Sequence, residues 1–440
     1  MKVTLVGGGG FRTPLVYGAL LDRSERLGVD ELVLHDVDAS RLERIGGVLD
    51  ALAAECGRRV PFRSTLDLEE AVEGAAFVLC AIRVGGLEAR IVDERVPLEL
   101  GVLGQETVGP GGIAFALRTV AVMRSIAETV GARAPGAWFV NFTNPAGLVT
   151  EALQPILGTR AVGICDGPES LFRGVARALG RPREELWFDY FGLNHLGWLR
   201  GVCDADGELL PDLLDDEARL TSFPEGRMLG AERIRSLGMV PMEYLWYLYK
   251  AETAVEEIRR AGQTRGELLV GQQRTFYEAR IDGPADALRL WREAVGARNA
   301  SYMAEAGKPE AGAGEDAVGY EDVALDVVEA ASGGAPAVLV VNTTNRGSVP
   351  FLDDEAVVEV PCVVGPTGVS PLAVGEVPTH ARELMETVKG VERLTVEAAL
   401  AGSTELAERA LELHPVVGSR ETAQRILAGY AASRQKNSHT

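Results

Sequence analysis

The sequence is short of several residues that carry much of protein chemistry. Of its 440 residues only five are cysteine and five histidine, and only five of the 44 cationic residues are lysine. The cysteines, Cys56, Cys80, Cys165, Cys203 and Cys362, are odd in number and form no C-x-x-C pair, which argues against a disulfide framework. Cys80 lies in the apolar run FVLCAI and reads as core. No apolar run approaches the roughly 20 residues that span a bilayer, and the opening MKVTLVGGGG is too short and too glycine-rich for a signal peptide. A cytoplasmic protein is expected. Positive charge is also in deficit, with 44 Lys and Arg against 64 Asp and Glu and a formal net charge of −20. Such a surface repels phosphate backbones and anionic membranes, so neither nucleic acid nor a membrane is expected as a partner. An anionic small ligand would need a local basic site.

What remains is an ordinary globular composition, 46% hydrophobic and 25% charged, long enough for two domains. Short apolar runs alternate with amphipathic stretches through the first half. KVTLV (2–6), ELVLHD (31–36), AFVLCAI (76–82), AWFVN (137–141) and AVGI (161–164) read as strands, with a helix opening at Thr13-Pro14 and another over 39–56. Continuous apolar strands separated by helices predict a doubly wound parallel sheet. Residues 1–180 are expected to form a Rossmann-like α/β domain of the lactate/malate dehydrogenase type, and residues 181–440 an α+β domain. In that second part, 240–300 and 391–413 read as helical, 335–345 and 356–364 as strands, 308–319 as a loop and 432–440 as a frayed tail.

The turn GGGGFRTP (7–14) joins the first strand to the first helix. Gly7, Gly8, Gly9 and Gly10, with Phe11 and Arg12, suit either a plain tight turn or a backbone cradle for a pyrophosphate. The third glycine of the usual fingerprint is absent, its place falling on Arg12 or Thr13. Asp36 ends the second strand, 29 residues after Gly7. It suits either a helix cap or an acid that binds the adenosine ribose. Together the two features favour NAD. Five polar stretches resist a packing explanation: 82–98, 104–112, 141–147 (NFTNPAG), 164–168 (ICDGP) and 192–198 (GLNHLGW). Cys165 follows a strand, so it is expected at the ligand-binding crevice. A thiolate and an imidazole suit a divalent transition metal. Cys165 and His195, 30 residues apart and without further ligands in the motif, can equally be unrelated.

In this order, GGGxxxTP, IRVGG, DERxPL, GQETxGPGG, NxTNP, a cysteine after a strand and GLNH resemble glycoside hydrolase family 4. VVNTTNRGSVPFLDDEAVVEVPC (340–362) and ALELHPVV (410–417) extend the resemblance over nearly the whole chain. The family stands apart from displacement by two carboxylates. The resemblance implies oxidation of the sugar 3-hydroxyl to a ketone by NAD⁺, removal of the hydrogen at carbon 2 by a base, elimination of the oxygen at carbon 1, addition of water and re-reduction. It implies Mn²⁺ on Cys165 and His195, Tyr244 (in P-x-x-Y-L-x-Y) as the base and Glu106 as the residue that raises its basicity. Asp166 would be the acid, and Arg90, Asn144 and Arg265 substrate contacts. Arg265 could grip a phosphate bidentately, or be a solvated helix arginine. Tyr247 and Tyr249 are read as structural, helical spacing pointing them elsewhere. Cys165-Asp166-Gly167-Pro168 points to a 6-phosphosugar, and the overall pattern to the 6-phospho-β-glucosidase branch over the α branch. A homodimer or homotetramer is a further expectation from resemblance. The chain departs from many members near Arg298, where it lacks a double glycine. A hydroxy-acid dehydrogenase and a non-catalytic NAD-binding regulator remain as alternatives.

Overall fold

A computed structural model describes residues 1–306 and 319–437. Six strands form the parallel half of one large sheet: β1 (Lys2–Val6), β2 (Glu31–His35), β3 (Phe62–Thr65), β4 (Phe77–Cys80), β5 (Trp138–Asn141) and β6 (Ala161–Gly163). Their order, β3-β2-β1-β4-β5-β6, is that of a doubly wound dinucleotide fold. β1, β2, β4, β5 and β6 are almost wholly buried, as strands covered on both faces must be. The helix Ala39–Cys56 starts where Asp38 caps it, accepting from the N–H groups of Ser40 and Arg41, and ends at Gly57 with φ 63°. Asp36 is therefore not the cap.

The chain then builds a small antiparallel sheet from β7 (Trp187–Leu193), β8 (Leu196–Cys203) and β9 (Val240–Pro241). β7 and β8 form a hairpin whose two-residue loop is Asn194-His195. The last three strands, β10 (Ala337–Thr344), β11 (Val357–Gly365) and β12 (Gly368–Pro371), return to the large sheet. They add antiparallel to β6 and make a single nine-stranded sheet across both halves of the chain. Helices of the second half also clamp the first. Tyr277 donates to the Gly9 carbonyl at 2.8 Å, and the Trp291 indole to that of Phe11 at 3.0 Å.

Two sequence expectations change. The helix expected over 391–413 is the end of Thr379–Ala401 followed by a separate helix, Thr404–Leu413. Gly402 at φ 63° stops the first, and Ser403 caps the second. The tail is helical to Asn437 and does not fray from 432. The loop expected over 308–319 lies outside the described residues except for Gly319.

The helix Ala146–Leu157 is fixed from behind by a buried ion cluster. Lys389, 3% exposed, donates to Glu151 at 2.7 Å and also pairs with Glu392. Arg393 bridges Glu151 and Asp353. Lys389→Met leaves Glu392 buried without its cation, while Glu151 keeps Arg393, so the variant should cost about 3–5 kcal/mol in urea unfolding. A loss under about 1 kcal/mol would mean that water reaches the cluster.

Candidate active site

The glycine turn is built so tightly that side chains have no room. Gly7 has φ 92°, and a Cβ there would lie 2.5 Å from the Ala81 carbonyl oxygen; one on Gly8 would lie 2.7 Å from Leu34 Cβ. The N–H groups of Gly7 and Gly8 donate to the His35 carbonyl, and that of Gly10 to Gly7. The Gly9 N–H donates to Asp36 Oδ2 at 2.9 Å, which brings the acid to the turn. Among the described residues, the N–H groups of Phe11 and Arg12 have no backbone acceptor. They stand before the helix Thr13–Leu27, where backbone donors and the helix dipole suit an anionic group such as a pyrophosphate. Arg12, in place of a third glycine, lays its guanidinium over the Tyr320 ring at 4.4 Å.

The carboxyl ends of β5 and β6 carry Asn144 and Cys165-Asp166. Asn144 Oδ1 is buried without a hydrogen-bond partner among the described residues. Cys165 is 3% exposed, with its Sγ 3.5 Å from the Gly167 N–H and 4.0 Å from the Tyr320 hydroxyl. Burial, then the negative charges of Glu359 and Asp166, push its thiol well above the ordinary range. A thiolate at this position therefore calls for a cation. Asp166 immediately precedes the helix Gly167–Leu179 and makes no side-chain cap bond.

His195 sits at the hairpin tip with φ 62°, in the left-handed region that non-glycine residues avoid. Its Nδ1 lies 2.9 Å from Thr107 Oγ1. The Thr107 hydroxyl donates to Gln105 Oε1, so its oxygen accepts from Nδ1–H and the lone pair falls on Nε2. Nε2 is buried and has no partner among the described residues. Burial holds the imidazole down to about 4 despite the nearby charges of Glu106 and Glu243, so it is neutral. A bare, neutral imidazole nitrogen whose other nitrogen is tied by a hydrogen bond is a ready metal ligand. Among the described residues no three or more His, Cys, Asp and Glu side chains form a metal cluster. An ion on Cys165 and His195 would thus take its remaining positions from water or substrate. The two residues fit such an ion.

Arg90, Glu106, Tyr244 and Arg265 line one cavity of about 420 Å³. Tyr244 stacks flat on His195, with centroids 3.7 Å apart and planes 2° from parallel. It thereby joins that cavity to the imidazole. Burial, then Glu243 and Glu106, push the Tyr244 phenol well above its ordinary value. Its hydroxyl is 2.9 Å from that of Tyr302, which donates to Glu243 at 2.8 Å. Burial pushes Glu106 up, but Arg90 and Arg83 outweigh it and hold the carboxyl at about 2, firmly ionised. The ion pairs measure 2.6 Å to Arg90 and 2.5 Å to Arg83. Arg90 is also fixed by Glu94 at 2.7 Å. Arg265 donates to the carbonyls of Ser301 and Arg298 and to the Ser301 hydroxyl. It is a helix arginine turned inward, at the N-terminus of Arg265–Tyr277. Burial and the charges of Arg12 and Arg265 pull Arg298 down to about 10. Such a concentration of positive charge invites an anion.

Cys165 does not share that cavity. It faces a pocket of about 240 Å³ with Pro168 and Phe172. Tyr247, expected to point elsewhere, lines the Tyr244 cavity and donates to Glu305 at 2.6 Å. Sequence reasoning also passed over Arg83, Thr107, Tyr302 and Arg298. Arg83 and Thr107 fall inside quoted motifs, IRVGG and GQETVGPGG. Tyr302, 58 residues from Tyr244, carries no local signal.

His414 lines a small cavity beside His195, and burial alone pulls it down to about 4. A histidine at 6.5 in the unfolded chain and about 4 in the fold contributes about 3 kcal/mol of stability above pH 6.5. That contribution is lost as pH falls toward 4. NMR titration of the imidazoles should give His414 a midpoint near 4; a midpoint near 6.5 would contradict its burial.

Residues 2–181 match the profile of the Family 4 glycosyl hydrolases, and residues 190–417 that of the Family 4 glycosyl hydrolase C-terminal domain. A probable 6-phospho-beta-glucosidase of Bacillus subtilis is 32% identical over 97% of this chain and 95% of its own length. A maltose-6′-phosphate glucosidase of the same organism is 31% identical over 97% and 94%. The structure of a 6-phospho-beta glucosidase from Thermotoga maritima with manganese, NAD⁺ and glucose-6-phosphate superposes with a TM-score of 0.84. Its identity is 26%, and 99% of this chain and 98% of that one are covered. The chain belongs to glycoside hydrolase family 4.

Proposed function

We propose that this chain hydrolyses 6-phosphoglucosides, β-linked ones in preference, and uses NAD and a divalent metal, Mn²⁺, as cofactors. One observation carries the reading. Tyr244 lies in one cavity with ionised Glu106 and the arginines, flat against a neutral imidazole whose Nε2 is bare. In this reading residues 1–180 hold the nucleotide, and residues 181–440 add His195, Tyr244 and Arg265 and complete the substrate site.

The N–H groups of Phe11 and Arg12 would bind the pyrophosphate, Gly7–Gly10 bring the backbone close, and Asp36 takes the adenosine ribose. Cys165 and His195 would hold the metal. When bound, the nucleotide supplies a hydride acceptor that gives the hydride back, and the metal supplies Lewis acidity at the sugar 2- and 3-oxygens. Tyr244 removes the proton from carbon 2. Its neighbours set its basicity. Glu106 and Glu243 make the phenolate a stronger base, while Arg90, ion-paired to Glu106, stabilises it once formed. Tyr302 fixes the direction of the Tyr244 hydroxyl. Asp166, at the start of its helix, protonates the departing oxygen. Arg265 and Arg298 receive the 6-phosphate, and Arg90 and Asn144 contact the sugar.

An α-linked substrate is the second reading. Asp166 after the cysteine, and the 31% identity to a maltose-6′-phosphate glucosidase, support it. We also place the enzyme in the cytoplasm, where its five free cysteines stay reduced, as a homodimer or homotetramer.

The test is release of nitrophenol from α- and β-nitrophenyl glucosides, with and without a 6-phosphate. Each is run with NAD⁺ and Mn²⁺ together and with either one omitted. Release is expected only from a 6-phosphoglucoside, β over α, only with both cofactors, and without net NADH. Tyr244→Phe should lower kcat about 10²- to 10⁴-fold with little change in KM. Accumulating NADH would point instead to a dehydrogenase, and release from unphosphorylated sugars would overturn the role of Arg265.

A further inference from the structure

Glu359, on β11, is 1% exposed and has no ion-pair partner among the described residues. A buried carboxylate without a cation is costly unless its lone pairs are filled. Here three side chains fill them. Oε1 accepts from Asn342 at 2.9 Å and from Asn194 at 3.2 Å, and Oε2 accepts from the Tyr190 hydroxyl at 2.9 Å. The donors come from β10, the hairpin loop and β7, so one carboxylate joins three elements.

The bond to Asn194 reaches furthest. Asn194 turns its amide nitrogen to Glu359 and its Oδ1 to the N–H of Ala146, at 3.0 Å, in the NPAG turn after β5. The hairpin tip is thereby stapled to that turn. The next residue is His195, held at φ 62°, in the left-handed region that non-glycine residues avoid. No glycine relieves this turn, so its conformation depends on what grips its neighbours. Thr107 grips the ring from one side, and Asn194 fixes the backbone from the other. Asn342 pairs in register with Gly163, two residues before Cys165. Glu359 therefore bonds to the neighbours of both His195 and the strand end before Cys165.

We propose that Glu359 is a positioning residue, acting through Asn194 to hold His195 so that Nε2 faces the ion. The role rests on the reading of Cys165 and His195 as metal ligands. A glutamine can do the same work. Its Oε1 serves both asparagines and its amide nitrogen donates to the Tyr190 oxygen, whose own hydrogen turns to Met242 Sδ at 3.8 Å.

The experiment is Mn²⁺ titration of the full chain without substrate, with the free ion followed by electron paramagnetic resonance. A thermal melt accompanies each variant. Wild type should bind, and His195→Ala should abolish binding. Glu359→Ala and Asn194→Ala should each weaken it tenfold or more. Glu359→Gln should stay within about threefold of wild type, the rescue that a purely charge-based role would not give. A folded Glu359→Ala, or Asn194→Ala, that binds Mn²⁺ as tightly as wild type overturns the proposal. So does Glu359→Gln failing as badly as alanine. Should Glu359→Ala not fold, Asn194→Ala decides, since it leaves the carboxylate and its other two donors in place. Undiminished binding by His195→Ala would overturn the metal reading itself, and this role with it.

Discussion

The site depends on a seam one residue wide. β6 meets β10 at the registered pair Gly163 and Asn342. A side chain on Gly163 would collide with Thr150 Oγ1 at 2.4 Å and crowd Asn342 Cβ at 3.0 Å, so glycine is what lets the strands close. Through this contact the parallel sheet that carries the glycine turn, Asn144 and Cys165 becomes continuous with β10 and β11. The small sheet that carries His195 then packs against β11, with Tyr190 and Asn194 reaching Glu359. The functional side chains come from elements far apart in sequence, and this approach of two backbones, with the Asn194–Ala146 and His195–Thr107 bonds, sets their mutual geometry. The ion cluster around Lys389 supports it from behind, and the helices that press Tyr277 and Trp291 onto the glycine turn support it from the front.

A second constraint is electrostatic. The chain carries a net charge of −20, yet its cavity gathers Arg90, Arg265 and Arg298. The protein keeps that charge tolerable by pairing some of it and leaving some unmet. Arg83 and Arg90 share Glu106, whereas Arg298, without an ion pair among the described residues, is pulled down to about 10 by burial and then by Arg12 and Arg265. The unmet part is where an anionic substrate gains most, because displaced water and low dielectric strengthen its contacts. Neutral His195 and high-lying Cys165 show the opposite arrangement, two buried donors set beside negative charges, Glu106 and Glu243 for the imidazole and Glu359 and Asp166 for the thiol.

Much of this was legible in the sequence, for physical reasons that differ by element. The strands at 2–6, 31–35, 77–80, 138–141 and 161–163 are mostly apolar because both faces are covered, and such runs stand out. The 39–56 helix announces itself by its cap and its terminal glycine. The break at 402–403 carried the same signals and was passed over. The β7–β8 hairpin hid because its residues read as a polar motif; its strand character comes from pairing. Tyr247 was set aside on helical spacing, yet residues three apart lie on one helix face, and both tyrosines line the cavity. Tyr302 has no local signal, and Glu359, though inside the 340–362 stretch, is not marked there as a site residue, since their roles exist only as contacts across 58 and 165 residues.

The most direct test of the central claim, that Tyr244 works by removing the proton from carbon 2, is isotopic. Turnover of a 6-phosphoglucoside in D₂O with NAD⁺ and Mn²⁺, followed by NMR of the released sugar phosphate, should show deuterium at carbon 2. Product that retains only hydrogen there, at full turnover, would mean that the glycosidic bond is broken by displacement, and would contradict the account.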